Sequence, residues 1–175
     1  MGGFTVLSAC IRPYLAATLL SLSALGVAAQ GPDAVATYHN ERHGFSLSYP
    51  AGAFAPQPPP ANDDGRVFLS RDGHARLLAG ALANTDGTNL RDYRSLVLQQ
   101  SYQGAAIDYA PVSSTWFVLS GTRDGTMFYE RVTFTCGGRL INSWALLYPA
   151  AERRTYDRII EQIARSYRPG EASCG

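Results

Sequence analysis

The sequence predicts an α+β fold, a mostly antiparallel β-sheet flanked by helices on both faces, that is, an α/β/α sandwich. Three observations carry this. The pairs Asp72-Gly73, Asp124-Gly125 and Gly137-Gly138 each sit between runs of β-branched and aromatic residues, the signal of tight hairpins whose central residues need positive φ. Two segments, 89–102 and 150–168, replace the twofold alternation with helical spacing. Both faces of the resulting sheet are too apolar to meet water uncovered.

Residues 1–29 read as a secretory signal peptide. Arg12 is their only charged residue, "LAATLLSLSALGVAA" (Leu15 to Ala29) supplies the apolar run, and Val27 and Ala29 suit the positions before a cleavage site. The run falls short of the roughly 20 residues that span a bilayer. "LSAC", ending at Cys10, resembles a lipoprotein signal superficially, but the apolar run follows it instead of preceding it. Cleavage after Ala29 would leave a polar lead over 30–37, a single domain over 38–168 and a tail over 169–175. A mature chain of about 145 residues suits one domain with a real core. The expected location is periplasmic or secreted, with no stable membrane span after cleavage.

The chain has fifteen arginines, one of them in the leader, no lysine, and fourteen acidic residues. The mature charge is therefore near zero, which argues against nucleic acid as a partner, because phosphate counterions are displaced by clustered positive charge. Without lysine there is no Schiff-base chemistry.

Taken in order, Phe45, Leu47 and Tyr49 alternate with serines and predict a strand over 45–49. "AFAPQPPPANDDG" (53–65) is a proline-rich surface loop, since proline cannot join the interior of a sheet or helix. The turn pairs then imply strands near 66–71, 74–83, 115–123, 126–136 and 139–148. In "TNLRDYRSLVLQQSY", Asn89 is the N-cap candidate, with Asp92 three residues on and Tyr93, Leu96, Val97 and Gln100 at helical spacing. In "AAERRTYDRIIEQIARSYRP", Tyr156, Ile159, Ile160, Ile163 and Tyr167 share a face, and Pro169-Gly170 ends the helix. Arg153, Arg154, Arg158 and Arg165 lie mostly opposite, interleaved with Asp157 and Glu161, as a solvated face.

Each hairpin turn fixes a register. Phe134 faces Ile141, Val132 faces Ser143 and Phe128 faces Leu147 on one side; Phe128 faces Gly121, Glu130 faces Leu119 and Val132 faces Phe117 on the other. One side of the sheet thus gathers Phe117, Leu119, Phe128, Val132, Phe134, Ile141, Ala145 and Leu147 as core. The opposite side gathers Trp116, Val118, Met127, Tyr129, Arg131, Leu140, Asn142, Trp144 and Tyr148. From it come the candidate binding residues Trp116, Tyr129, Arg131, Asn142 and Trp144, a possible cation–π stack or aromatic cleft for an envelope protein or glycan. The competing expectation is that the 89–102 helix covers this side as a second core.

"HGFSLSYP" near the mature start, antiparallel strands, a long hairpin and a closing "YDRIIEQIARSY" helix together resemble the PsbP-like family over 38–167. The family takes its name from an extrinsic subunit of the photosynthetic oxygen-evolving complex and includes small secreted bacterial proteins. The resemblance implies the sandwich just described and a role in binding or assembly without catalysis. It is carried by Gly44, Phe45, Tyr49 and Pro50 and brings no functional residue with it.

Two cysteines remain after the leader, and export exposes them to an oxidising compartment. The strand leaving Gly137-Gly138 runs out about 33 Å and the helix after it returns about 27 Å, so "PGEASC" can bring Cys174 to Cys136. Closing that loop of about 38 residues is worth roughly 4 kcal/mol in the chain-entropy model.

Candidate chemistry is sparse, and no cofactor is expected. His39 and His43 in "YHNERHGFSLSYP" would lie about 13 Å apart if extended, too far to share one ion at about 2 Å. A turn at Glu41 and Arg42 could fold them together, with His74 or Asp63-Asp64 as further ligands, and a small metal-dependent hydrolase using His39, His43 and His74 is the alternative function. "NDDGRVFLSRDG" lacks the ligand alternation and closing Glu of an EF-hand. There is no Gly-x-Ser-x-Gly elbow; Ser120-Gly121 reads as a strand packing closely on its neighbour.

Overall fold

The computed structural model describes residues 34–172 and Cys174; the predicted leader lies outside them. Its elements run β1 (Val35–His39), β2 (Ser46–Pro50), β3 (Phe54–Pro56), β4 (Gly65–Ser70), β5 (Arg76–Ala83), α1 (Leu90–Gln100), β6 (Ala106–Tyr109), β7 (Trp116–Arg123), β8 (Thr126–Thr135), β9 (Leu140–Pro149) and α2 (Arg153–Ser166). Strands β3 to β9 form one antiparallel sheet in the order β3-β4-β5-β9-β8-β7-β6, and β1 pairs with β2 as a separate hairpin. The fold is thus mostly antiparallel sheet with two helices.

The turn chemistry sets this register. Asp124 and Gly125 both take positive φ, as the two-residue hairpin turn demands. Phe134 then lies opposite Ile141, Val132 opposite Ser143 and Phe117, and Glu130 opposite Leu119. Asn89 caps α1 by accepting from the Asp92 N–H at 3.0 Å, an interaction worth about 1 kcal/mol. The pairing of β5 with β9, which joins the β4–β5 hairpin to the β7–β9 meander, has no turn of its own to announce it.

Three elements depart from expectation. Phe45 to Tyr49 does not enter the large sheet. It pairs with β1, which runs into the predicted lead, and Ser46 exchanges backbone hydrogen bonds with Arg168. The short edge strands β3 and β6 were hidden, the first inside the proline-rich loop and the second because all four of its residues are exposed.

Alternation along β9 sorts the interior into two clusters. On the Trp144 face, Leu140, Trp144, Leu146 and Tyr148 join Phe45 and Leu47 of β2, Phe68 and Leu77, and Tyr156, Ile163 and Tyr167 of the α2 region. On the Ile141 face, Phe117, Leu119, Phe128, Val132 and Phe134 pack with Val97 and Tyr102 of the α1 region. The helix on the Trp144 face is therefore α2, not the 89–102 helix. The closing segment returns as its length requires, and Cys136 and Cys174 are joined by a disulfide.

Candidate functional site

Of the five face residues singled out from the sequence, Trp144 and Asn142 are fully buried, whereas Trp116, Tyr129 and Arg131 are half-buried. Trp144 is enclosed by Tyr129, at 5.1 Å between ring centroids, and Tyr167, at 6.2 Å. Asn142 clamps the C-terminal segment. Its Oδ1 accepts from Gly170 N–H at 2.9 Å, and its Nδ2 donates to Thr135 Oγ1 at 2.9 Å, which in turn donates to Gly170 O at 2.6 Å. Gly170 fits because a Cβ there would meet the His43 carbonyl oxygen at 2.1 Å. These two residues hold the fold together and present no exposed surface to a macromolecular partner. Arg131 does stack over the Trp116 ring, at 4.9 Å.

The three histidines part company. Residues 40–43 form a tight turn closed by Gly44 N–H to Asn40 O at 2.8 Å, with Gly44 at positive φ. His43 is buried and bonds Asp64 through Nε2 at 2.8 Å, while His39 stands exposed near Glu41. Asp64 also meets Arg42 at 3.2 Å. The hydrogen bond from His43, followed by the charge of Arg42, holds its carboxyl below the usual aspartate range. His43 therefore ties the β1–β2 turn to the loop before β4. His74 lies with Asp72 and Glu152, the one group of three potential ligands among the described residues, and it includes neither other histidine. Asp72 is already engaged by the Ser70 hydroxyl and the His74 N–H, bonds that shape the β4–β5 turn.

A concavity opens on the other face, over strand positions whose alternation predicts core. It measures about 910 Å³ and lies between the Pro58-Pro59-Pro60 rim and the end of α1, over β4, β5, β9 and β8. Its floor explains it. Gly65 and Gly80 are paired across β4 and β5, Ser143 lies beside Gly80, and Ala145 beside Leu78. With so little side chain there, the sheet surface drops away, and Val67, Leu78, Ala145 and Leu147 stay half-exposed. Arg76 and Arg123 stand at its edge, the latter donating to Ser101 O at 3.0 Å.

Glu130 closes one end. Tyr102, stacked on Phe128 at 3.9 Å, donates its hydroxyl to Glu130 Oε2 at 2.6 Å. No cation pairs with Glu130 among the described residues. Burial pushes its carboxyl above the usual glutamate range, against the opposing pull of the Tyr102 hydroxyl. The same burial, with the Glu130 charge beside it, raises Tyr102 far above an ordinary phenol. The sequence held one signal of this: Glu130 falls opposite Leu119, an acid at an inward position of a strand.

This chain matches no protein-family model and no curated protein. Solved structures similar to it include cyanobacterial PsbP from Synechocystis, with TM-score 0.57, 16% identity, and coverage of 86% of this chain and 98% of that one. They also include the Saccharomyces cerevisiae Ran-binding protein Mog1p, with TM-score 0.56, 10% identity, and coverage of 81% and 98%. The fold is shared with PsbP and Mog1p. At these identities the likeness is one of fold, and it agrees with the architecture implied by "HGFSLSYP" and the closing helix.

Proposed function

We propose that this chain is an exported, non-catalytic PsbP-like domain that binds a partner, a protein or a glycan, in the periplasm or outside the cell. The observation that carries the reading is the cleft on the Ile141 face. A preformed concavity of about 910 Å³, apolar along its floor with one half-buried carboxyl at its end, has the anatomy of a binding site. Its lining includes neither histidine nor cysteine, so neither an imidazole base nor a thiol nucleophile is gathered there. The signal-peptide pattern of residues 1–29 and the disulfide support export. A Ran-binding protein of the same fold supports binding, and α1 and α2 on opposite faces support the three-layer sandwich. The metal-dependent hydrolase lacks its premise, since His43 is committed to Asp64 and the other two histidines lie elsewhere.

The test is site-specific photo-crosslinking in the native envelope, with the reactive residue at Leu78 in the cleft and, separately, at Leu96, exposed on α1. The reading requires a discrete adduct from position 78 and none from 96. No adduct at 78, or the same adducts from both, sinks it. Terminal sequencing of the exported protein should begin at Gln30.

A further inference from the structure

Among the polar atoms of the Trp144 face that are shut off from solvent, four lie together with no partner at full hydrogen-bond geometry: Arg131 Nε, Thr133 Oγ1, Trp144 Nε1 and the Tyr167 hydroxyl, the two hydroxyls being near enough to bond each other. An unmet buried polar group costs about 1–3 kcal/mol, and native proteins keep few of them. Here four occur side by side. Arg131 and Thr133 are successive residues on one face of β8, and Trp144 lies directly across from Arg131 on β9. Tyr167 follows α2 and sets its ring 6.2 Å from that of Trp144. Thr133, Trp144 and Tyr167 are each more than nine-tenths buried.

All four groups can donate, and two of them, the indole and the guanidinium, can only donate. Arg131 is a permanent cation, yet none of the ion pairs among the described residues includes it. Its one visible compensation is the Trp116 ring, over which the guanidinium carbon lies at 4.9 Å. Burial raises the Tyr167 phenol, with a hydrogen bond to the Thr133 hydroxyl and the Arg131 charge acting against the rise, so these three groups share one locality. With Thr133 and Tyr167 bonded to each other, the indole and guanidinium donors are still unmet. The locality needs acceptors and negative charge, and half-buried Trp116, Tyr129 and Arg131 mark the side from which a ligand would enter.

We infer that Arg131, Thr133, Trp144 and Tyr167 form a binding site for a small oxyanion, a phosphate-type or carboxylate group. Arg131 supplies the charge and the fork of N–H donors that oxyanions match; the two hydroxyls and the indole N–H complete the shell. The site is on the opposite face of the sheet from the cleft and does not depend on the function proposed for it.

The chain has two tryptophans, Trp116 and Trp144, and both belong to this locality, so intrinsic fluorescence reads the site directly. The purified protein is titrated with sodium phosphate and with sodium acetate, each against sodium chloride at equal ionic strength. The expected result is a saturable emission change with at least one of the two anions. Arg131→Gln should weaken it about tenfold or more, as expected for a charged hydrogen bond, and Tyr167→Phe by less. Tighter binding of phosphate assigns a tetrahedral ligand, and tighter binding of acetate a carboxylate. Emission that follows the chloride control for both anions overturns the inference, as does a saturable change unaltered in Arg131→Gln. Should circular dichroism show that Arg131→Gln does not fold, Thr133→Val decides in its place, because it removes a donor without altering charge: weaker binding supports the site and unchanged binding overturns it.

Discussion

The two faces of this one sheet are closed to different degrees, and the side chains they present explain it. On the Trp144 face, Trp144, Tyr148, Leu146 and Leu77 are large and lie under α2, the β1–β2 hairpin and the C-terminal tail, with exposures of 1% or less. On the Ile141 face, α1 packs on Phe117, Val132 and Phe134 of β7 and β8, but the β4–β5–β9 part presents Gly65, Gly80, Ser143 and Ala145 and stays open as the cleft. Bulky apolar strands repay a covering element by the area they remove from water, about 25 cal/mol per Å². Glycine, serine and alanine offer little such area, so the same backbone stays available to a ligand.

The largest effect that tests this contrast is Trp144→Ala. Removal of a fully buried tryptophan should cost about 3–5 kcal/mol, read as a fall in the urea midpoint at unchanged m-value. A loss below about 1 kcal/mol would mean that the Trp144 face is loosely closed. Next comes the tether. With both Cys136 and Cys174 changed to serine, the tail held by Asn142 loses its covalent anchor, and stability should drop by about 2–4 kcal/mol. Dithiothreitol should lower the parent protein by a similar amount and leave the double variant unmoved; equal sensitivity in both would show that the bridge contributes nothing.

How far the sequence reveals this contrast depends on which contacts are local. Asp124-Gly125 and Gly137-Gly138 pin their own hairpins, so the pairs Phe134 with Ile141 and Val132 with Phe117 could be written down in advance and occur as written. The alternation also showed that two apolar faces exist. Which helix covers which face is a tertiary choice that period alone does not encode, and α2 took the place expected for 89–102. The cleft was out of reach for a related reason. Gly65, Gly80 and Ala145 become neighbours only through the pairing of β5 with β9, strands separated by α1, β6, β7 and β8. Asn142 looked like an outward polar residue because its partner, Gly170, reaches it from the far end of the chain.

Glu130 gives the cleft a pH signature. Its folded-state pKa is raised above the ordinary 4.5 by burial, so the folded chain holds that proton more tightly than the unfolded one. The resulting stabilisation is present below the ordinary value and is lost as pH rises through the raised one. Glu130→Gln carries no such loss. The variant should gain in thermal midpoint relative to the parent at pH 8, and the gain should shrink toward pH 4. A difference that does not change with pH would mean that the carboxyl titrates normally and that this end of the cleft is wet.

The smallest expected effect, at Leu78, is read against its neighbour on β5, Leu77. Leu77 is fully buried on the Trp144 face, and Leu78 is half-exposed on the cleft floor, opposite Val67 and Ala145. Leu77→Ala should cost about 2–5 kcal/mol, because it leaves a cavity that tight packing cannot collapse. Leu78→Ala should cost about 1–2 kcal/mol, since its side chain borders the open cleft and its removal leaves no closed cavity. The backbone, strand and chemistry are the same for both, so their difference isolates the face. Equal costs would show that something fills the cleft in the isolated protein, and the open half of the sheet would then be closed in solution.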